Sequence, residues 1–289
     1  MMNARALAKN LQVGKLVAAA MREDLGAGDA TSRALVPAGA TIRAVILSRG
    51  DYVIAGATVA ALAFQYADRR VRVRIRIPDG MRAERNAVVM ELDGPARGIL
   101  AAERTALNFL QRLSGTATLA AQFVAAVRPY GTMILDTRKT TPGLRLLEKY
   151  AVTCGGGTNH RMGLYDRILI KDNHRRLWSA QNAGRLDLAV RQARKRYPKL
   201  CIEIEVESEA ELQNVLPARP DWIMLDNMSP AQMKRCVAIC KGRALLEASG
   251  GITLANAARV AKTGVDAISL GCLTHSAPAA DLSLEFLDT

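Results

Sequence analysis

Aromatic residues and long apolar runs are both scarce in this sequence. Trp, Tyr and Phe make up 4% of the 289 residues, and no run of about 18 apolar residues occurs. A membrane-spanning helix needs about 20 such residues, so no membrane segment is expected. Gly and Pro number 22 and 10, too few for a collagen-like or low-complexity chain. We expect a globular protein with one large α/β domain or two domains.

The cysteines give no sign of disulfides or of a metal site. The five cysteines form no CxxC pair, and the spacing of Cys236 and Cys240 is that of two apolar residues on one helix face. The first 24 residues lack the apolar core of a signal peptide and are typical of an amphipathic helix. Together these features predict a cytoplasmic protein with reduced thiols.

Positive charge is in large excess. The chain has 40 Lys and Arg against 27 Asp and Glu, a formal net charge of +13. Such a surplus either meets an anionic partner or lies on the solvated surface. A nucleic-acid-binding surface usually combines basic residues with aromatic ones, and aromatic residues are few here. The composition therefore favours small anionic ligands over nucleic acid.

The segment from Thr41 to Asp93 predicts strands and turns. Apolar residues and arginines alternate from Val71 to Ile77, and this period of two places the arginines on one face of a sheet. The arginine stripe either is the solvated face of a half-buried sheet or binds an acidic partner.

Helical periodicity follows these strands. Apolar residues recur with helical spacing from Ala96 to Leu113, and Ser114 and Gly115 interrupt the pattern. A second helix is predicted up to Val127. We therefore predict a domain boundary near Gly115.

Beyond Tyr130, short apolar strands alternate with helices. This rhythm predicts parallel βα units, which close into a barrel or form an open doubly wound sheet. The predicted strands are Met133–Leu135, Arg167–Ile170, Ile202–Val206, Trp222–Leu225, Ala244–Leu246 and Ala267–Leu270. The predicted helices are Asp187–Tyr197, Glu209–Leu216, Pro230–Cys240 and Leu254–Thr263.

Charged residues of both signs follow these strands. In a parallel barrel the carboxyl ends of the strands meet at one opening, where catalytic side chains gather. One charge at a strand end also serves as a helix cap, but a series of them favours a polyanionic substrate held partly through a divalent cation such as Mg²⁺. The strand-end residues are Asp136–Lys139, Lys171–His174, Glu205, Glu207, Asp226, Asn227 and Glu247.

Glycine-containing segments are further candidates for binding anions. Ser249–Gly251 and Gly271–Cys272 follow the last two strands, where small residues let backbone N–H groups approach a phosphate, although ordinary turns also use glycine. A run of three glycines, 155–157, precedes His160 and Arg161, and the arginine fork matches a carboxylate. This segment either binds an acidic ring substrate or is a flexible surface loop.

Several segments together resemble one known family. They occur along most of the chain in the family's order, and DTRKTTPG and IKDNH are the most specific of them. The segments are EDLG from 23, ERTALNFLQRLSG from 103, DTRKTTPGLR from 136, GGGTNHR from 155, LIKDNH from 169, IEVE from 204, LDN from 225, EASGG from 247 and LTHSA from 273. On these segments the chain resembles quinolinate phosphoribosyltransferase.

The resemblance implies a fold, a reaction and an assembly. The fold is an N-terminal open-faced α/β sandwich over residues 1–115, joined by 276–289, and an incomplete TIM-like α/β barrel over 116–275. The reaction is that of a pentosyltransferase, which converts quinolinate and phosphoribosyl pyrophosphate to nicotinate mononucleotide, pyrophosphate and CO₂ with Mg²⁺, in NAD biosynthesis. The assembly is a homodimer or higher homo-oligomer, with no nucleic-acid or membrane partner.

The resemblance also implies roles for single residues. The quinolinate carboxylates are held by Arg138, His160 and Arg161, with Arg104 reaching in from the partner subunit. The group around the ribose, pyrophosphate and metal is Lys139, Lys171, Glu205 and Asp226, and the last two contact Mg²⁺ directly or through water. Thr137 joins the substrate-binding set, and the 5′-phosphate cradle is Ser249, Gly250, Gly251, Leu270, Gly271 and Cys272.

Two other functions are compatible with parts of the sequence. A molybdenum-transport-associated relative shares the fold and much of DTRKT, but as a rule it lacks the intact IKDNH of this chain. An inactive basic barrel that binds nucleic acid would rely on the arginines within 69–76 and 191–196. Formation of nicotinate mononucleotide from the two substrates distinguishes the enzyme from both alternatives.

Overall fold

Antiparallel and parallel strands occupy separate parts of the chain. The computed structural model describes residues 3–287, which divide into two units. Of the described residues, those of Met1–Ala121, Thr140–Gly156 and Leu273–Thr289 form the first unit, and those of Gln122–Lys139 and Gly157–Cys272 form the second. The first unit holds the antiparallel strands and the second the parallel ones, so the predicted α/β fold class is confirmed.

The helices and strands of the described residues are numbered in chain order. The helices are α1 (Ala4–Ala8), α2 (Leu11–Leu25), α3 (Ala30–Leu35), α4 (Ala57–Ala67), α5 (Ala96–Val127), α6 (Arg145–Cys154), α7 (Asp172–Asn182), α8 (Leu186–Arg196), α9 (Glu209–Val215), α10 (Pro230–Cys240), α11 (Leu254–Ala261) and α12 (Cys272–His275). The strands are β1 (Thr41–Ser48), β2 (Tyr52–Val53), β3 (Arg72–Ile75), β4 (Arg82–Ala83), β5 (Val88–Pro95), β6 (Met133–Leu135), β7 (Ile168–Ile170), β8 (Ile202–Val206), β9 (Trp222–Asp226), β10 (Leu245–Ser249), β11 (Ala267–Ser269) and β12 (Leu282–Phe286). Within 3–287, no helix has both the length and the apolar character to span a membrane.

The main sheet of the first unit has one apolar face and one charged face. Its strand order is β12-β1-β5-β3, all antiparallel. Ala44 and Ile46 of β1 belong to the hydrophobic core, together with residues of α2, α4 and α5. On the other face, Arg72 lies 3.3 Å from Asp93, and Arg76 lies 3.3 Å from Glu91. The arginine stripe is therefore a solvated face whose charges are partly balanced within the sheet.

Helix α5 continues through the predicted break at Ser114 and Gly115. The prediction of two helices is wrong, because Gly115 serves close packing and does not end the helix. A Cβ atom on Gly115 would lie only 1.9 Å from the carbonyl oxygen of Pro278. Next to this contact, the N–H of Ala280 donates to the carbonyl oxygen of Gln111 at 2.9 Å. The missing side chain therefore lets the segment before β12 lie directly on α5.

The six parallel strands of the second unit have the strand order of an opened barrel. That order is β6-β11-β10-β9-β8-β7, so the strands succeed one another around the sheet and the ring is interrupted between β7 and β6. A doubly wound sheet would instead reverse its strand order at a central crevice. Parallel neighbours place all six carboxyl ends at one edge.

Replacement of Gly115 by alanine should destabilise the first unit. The new methyl group would overlap the Pro278 carbonyl oxygen, and overpacking of this kind costs about 1–3 kcal/mol. Gly14→Ala is the matched control, because Gly14 lies in helix α2 with nothing within 4 Å of its Cβ position. That change should stabilise by about 0.5–1 kcal/mol. Denaturant unfolding of both variants checks the opposite signs, and a neutral Gly115→Ala would contradict the close contact.

Candidate active site

One face of the parallel sheet carries charged side chains and the other is apolar. Side chains alternate along a strand, so Glu203 and Glu205 of β8 share a face while Ile202, Ile204 and Val206 point the other way. All five are buried. In register across the sheet, Glu203 lies beside Trp222, Glu205 beside Met224 and Met224 beside Glu247. Carboxylates thus line the sheet face opposite the apolar one.

Glu205 joins the ends of strands β7 and β8. Its Oε1 lies 3.3 Å from Nζ of Lys171, and its Oε2 accepts a hydrogen bond from the N–H of Asp172 at 3.0 Å. The side chain of Lys171 is 44% exposed, whereas that of Glu205 is 9% exposed. The buried carboxylate therefore orients an accessible ammonium group at the carboxyl edge of the sheet. Lys171 also precedes α7, and its N–H donates to Nδ1 of His174 at 3.1 Å.

The ends of strands β9 and β10 form one loop system. Asp226 accepts a hydrogen bond from the side-chain amide of Asn227 at 3.0 Å, and the N–H of Asn227 donates to the carbonyl oxygen of Ser249 at 2.9 Å. Gly250 and Gly251 both have positive φ, +96° and +62°, and a Cβ atom on Gly250 would lie 2.0 Å from Oδ1 of Asn227. Glycine is therefore required at 250, and exposed backbone follows β10 directly.

The remaining predicted residues of this unit lie at the same edge. Thr137 follows β6 and accepts a hydrogen bond from the N–H of Lys139 at 3.0 Å. The N–H of Leu270 donates to the carbonyl oxygen of Leu135 at 2.9 Å, which joins the ends of β11 and β6. Gly271 and Cys272 follow immediately. Predicted residues thus follow the carboxyl ends of all six strands.

Arg138 and Arg161 lie close enough for their charges to repel. Burial, followed by the charge of Arg138, lowers the pKa of Arg161 below its usual value. The Nε of Arg138 is buried and donates no hydrogen bond to any of the described residues. One NH of Arg161 donates to the carbonyl oxygen of Arg167 at 3.3 Å. Two guanidinium groups with unused hydrogen-bonding capacity favour an anion that contacts both.

The ring of His160 contacts two buried carboxyl groups. Its Nε2 is 2.9 Å from Oε2 of Glu203 and 3.4 Å from Oε2 of Glu247, and its Nδ1 accepts a hydrogen bond from the N–H of Arg161 at 2.7 Å. Its own N–H donates to Oδ1 of Asp136 at 2.9 Å. Glu203 precedes Glu205 by two residues on one strand, so it lies one layer deeper in the sheet.

Protonation is strongly perturbed in this cluster. Burial, followed by the charge of Glu203, raises the pKa of Glu247 to about 7. Burial opposes a charge on His160, whereas its contacts with Glu203 and Glu247 raise its pKa, an effect that depends on both carboxyl groups being ionised. Burial also acts against ionisation of Glu203, yet the His160 contact lowers its pKa overall.

The sequence pattern does not predict Glu203 and Arg167 as members of this region, and it predicts Asp136 and Glu247 only as strand-end residues. The alternation I-E-I-E-V in β8 carries the missing signal, because a strand buried on both faces places Glu203 on the same face as Glu205. Arg167 was placed at a strand start, yet its NH1 lies 3.3 Å from Oε2 of Glu203, and its guanidinium lies 5.2 Å from the ring centre of Trp222.

Arg104 belongs to the first unit. It lines a cavity of about 390 Å³ between residues of α2 and α5, together with Glu23, Asp24, Thr105 and Asn108. Oδ2 of Asp24 accepts a hydrogen bond from the hydroxyl of Thr105 at 3.3 Å. A larger cavity of about 1060 Å³ lies at the amino ends of β9 and β10, and none of the predicted site residues lines it.

Two family matches cover most of the chain. Residues 29–114 match Quinolinate phosphoribosyl transferase, N-terminal domain, and residues 116–285 match Quinolinate phosphoribosyl transferase, C-terminal domain. The chain belongs to the quinolinate phosphoribosyltransferase family. The family predicted from the motifs is therefore confirmed.

Curated relatives and solved structures agree with this family. The chain is 40% identical over 277 residues to the probable nicotinate-nucleotide pyrophosphorylase (carboxylating) of Bacillus subtilis, covering 96% of this chain and 94% of the relative. It is 43% identical over 272 residues to the nicotinate-nucleotide pyrophosphorylase (carboxylating) of Mycobacterium leprae, covering 92% and 94%. The Francisella tularensis nicotinate-nucleotide pyrophosphorylase structure superposes with a TM-score of 0.89 at 39% identity, covering 96% of each chain. The Streptococcus pyogenes NadC structure gives 0.90 at 39% identity, covering 96% and 98%.

Replacement of Glu247 by glutamine should change how stability depends on pH. The folded-state pKa of about 7 exceeds the ordinary value of 4.5, so between these values the folded chain holds a proton that the unfolded chain has released. The wild-type free energy of unfolding therefore falls as pH rises through this interval. Glu247→Gln cannot titrate here, so its stability relative to wild type should rise by about 3 kcal/mol from about pH 4.5 to about pH 8.

Denaturant unfolding of both proteins across this range checks the prediction. Glu209→Gln is the control, because Glu209 pairs with Arg235 at 2.7 Å on helices outside the sheet. A constant difference between wild type and Glu247→Gln at every pH would show that Glu247 does not hold the extra proton.

Proposed function

We propose that this chain converts quinolinate and phosphoribosyl pyrophosphate to nicotinate mononucleotide, pyrophosphate and CO₂. The observation that carries the proposal is the collection of cationic, acidic and glycine-rich strand ends along one edge of the parallel sheet. Membership of the quinolinate phosphoribosyltransferase family, at about 40% identity to curated relatives over most of the chain, supports it.

Two arginines, one after β6 and one in the segment between α6 and β7, suit the dicarboxylate substrate. Arg138 and Arg161 repel each other in the free protein, and a bound carboxylate between them would offset that repulsion. His160 directly precedes Arg161 in the chain, although its ring contacts Glu203 and Glu247. We assign the quinolinate carboxylates to Arg138 and Arg161, with His160 supporting them.

The glycine-rich loop after β10 suits the 5′-phosphate. Gly250 and Gly251 adopt backbone conformations that side chains rarely allow, and helix α11 begins soon after them. Successive backbone N–H groups and a helix amino end both favour a bound phosphate. Ser249, Leu270, Gly271 and Cys272 complete the proposed cradle.

The carboxylates at this edge fit Mg²⁺ to different degrees. Both oxygens of Glu205 already have partners, the Lys171 ammonium and the Asp172 N–H, whereas Asp226 has a carboxylate oxygen with no donor among the described residues. Mg²⁺ takes one or two carboxylates along with substrate phosphate oxygens. Asp226 would therefore hold the ion, and Glu205 would contact it through water. When bound, the ion supplies positive charge to the pyrophosphate oxygens.

The residues at the sheet edge stabilise charge during transfer. As the bond from ribose C1 to pyrophosphate breaks, positive charge develops on the ribose. Glu205 and Asp226 lie on the same face of the parallel sheet, and their negative charges would stabilise this positive charge. Lys139 and Lys171 would neutralise the departing pyrophosphate. The pyridine nitrogen then bonds to C1. The quaternised ring accepts the electron pair left when the 2-carboxylate departs as CO₂, and the ring carbon takes up a proton.

The assembly and compartment are part of the proposal. We assign Arg104 to the quinolinate site of a partner subunit in a homodimer, and its place in the lining of a cavity of the first unit supports contact with another molecule. None of the five cysteines, all within the described residues, forms a disulfide, in keeping with the reducing cytoplasm.

Incubation of the protein with quinolinate, phosphoribosyl pyrophosphate and Mg²⁺ should yield nicotinate mononucleotide. Glu205→Gln and Asp226→Asn should each lower kcat by about a hundredfold, because each removes a charge aimed at the transition state. Chromatographic detection of nicotinate mononucleotide measures both effects. Absence of product from the wild type would end the proposal, and near-native kcat for both variants would remove the two carboxylates from the mechanism.

Mixing two inactive variants should restore activity if Arg104 serves the partner's site. Arg104→Ala and Lys171→Ala are each expected to be inactive. After subunit exchange at equal amounts, half of the dimers carry one intact site, so about a quarter of wild-type activity should return. Mixing Lys171→Ala with Glu205→Gln is the control, because both residues lie on one subunit's sheet. No recovery in the first mixture, with subunit exchange verified, would place Arg104 outside the partner's site.

A further inference from the structure

The contacts around His160 form a closed cycle that begins at the backbone N–H of Arg161 and returns to its guanidinium. The N–H of Arg161 donates to Nδ1 of His160 at 2.7 Å, and Nε2 of His160 lies 2.9 Å from Oε2 of Glu203. The same Oε2 accepts from NH1 of Arg167 at 3.3 Å, and the carbonyl oxygen of Arg167 accepts from NH1 of Arg161 at 3.3 Å. The backbone and the guanidinium of Arg161 are thus fixed by the same buried carboxylate.

We propose that Glu203 and Glu247 are positioning residues, which fix the ring of His160 and thereby hold the Arg161 guanidinium where the dicarboxylate substrate binds. The inference rests on the proposed function for its substrate. Neither glutamate reaches the edge of the sheet, since both have 0% exposure. Their effect on quinolinate therefore passes through His160, Arg161 and Arg167.

A second carboxyl group completes the support of the ring. Oε2 of Glu247 lies 3.4 Å from Nε2 of His160, on the strand that ends in the glycine-rich loop. Neither oxygen of Glu247 accepts a hydrogen bond among the described residues. An ionised carboxylate without such bonds is costly at this depth, whereas a protonated carboxyl group is tolerated.

The hydrogen bonds decide where the protons lie. The two carboxylates favour a doubly protonated ring, but the N–H of Arg161 at 2.7 Å requires an unprotonated Nδ1. Arg161 directly follows His160 in the chain, so its backbone N–H stays close to Nδ1 and keeps that atom an acceptor. We therefore place the ring proton on Nε2 and the second proton on Glu247. Glu203 then remains charged, and it faces the guanidinium of Arg167.

A metal ion is a poorer explanation of the same cluster. The ligand atoms of His160, Glu203 and Glu247 lie within 4.8 Å of one another, as in many metal sites. However, the guanidinium of Arg167 lies 3.3 Å from Oε2 of Glu203 and 3.4 Å from Nε2 of His160. A cation already contacts the two atoms that would face the ion.

Kinetics with conservative variants separate positioning from general structural support. Glu203→Gln should raise the KM for quinolinate by about tenfold while the KM for phosphoribosyl pyrophosphate changes by less than about twofold. Glu247→Ala removes the carboxyl group that contacts Nε2 of His160, so it should also raise the KM for quinolinate, by about fivefold, while the KM for phosphoribosyl pyrophosphate changes by less than about twofold. Glu209→Gln is the matched control and should change neither. Equal rises in both KM values for Glu203→Gln, or no rise in either, would overturn the proposal.

A second measurement applies to the wild-type protein and does not depend on turnover. The chain has three histidines, so ¹⁵N spectra of histidine-labelled protein can be assigned with His174→Gln and His275→Gln. His160 should show a protonated Nε2 and an unprotonated Nδ1 at neutral pH. A doubly protonated ring would overturn the proton placement and with it the Arg161 hydrogen bond. Loss of turnover with the expected spectrum would instead count against the proposed function.

Discussion

Balance of buried negative charge is the constraint on which the second unit depends. Glu203 and Glu205 project from β8 and Glu247 from β10, all with little or no exposure, and isolated buried carboxylates are costly. Each is compensated differently. Glu205 has an ammonium group and a backbone N–H, Glu203 has His160 and Arg167, and Glu247 has a raised pKa, which favours its neutral form. The compensating groups come from other segments, so charge balance also brings those segments together.

The same alternation that packs the sheet also separates its two roles. Along β8, isoleucine and valine point to one face and glutamates to the other. The apolar side chains pack in the hydrophobic interior on one face of the sheet. The glutamates lie on the opposite face, with Glu203 farther from the carboxyl edge than Glu205. Glu203 contacts His160 and Arg167 in the interior, while Glu205 contacts Lys171 at the carboxyl edge of the sheet. Depth along one strand thus distinguishes positioning from contact with substrate.

The sequence was sufficient to predict most elements of the second unit and its edge. Strand ends are legible because short apolar runs stop at charged residues, as at Lys171 and Asp226. Gly115 misled the prediction, because glycine as a helix breaker and glycine as a site of close approach look alike until Pro278 is placed beside it. The roles of Glu203 and Arg167 could not be predicted, because the two residues are far apart in the chain and local sequence patterns do not show that they are in contact.

Strand β12 pairs with β1, so the first unit contains chain segments that come both before and after the second unit in the sequence. During synthesis, residues 41–48 leave the ribosome long before residues 282–286, and the whole parallel sheet emerges between them. One edge of the antiparallel sheet and the surface of helix α5 around Gly115 stay uncovered for that interval. Completion of the earlier-made unit is therefore a late event in folding.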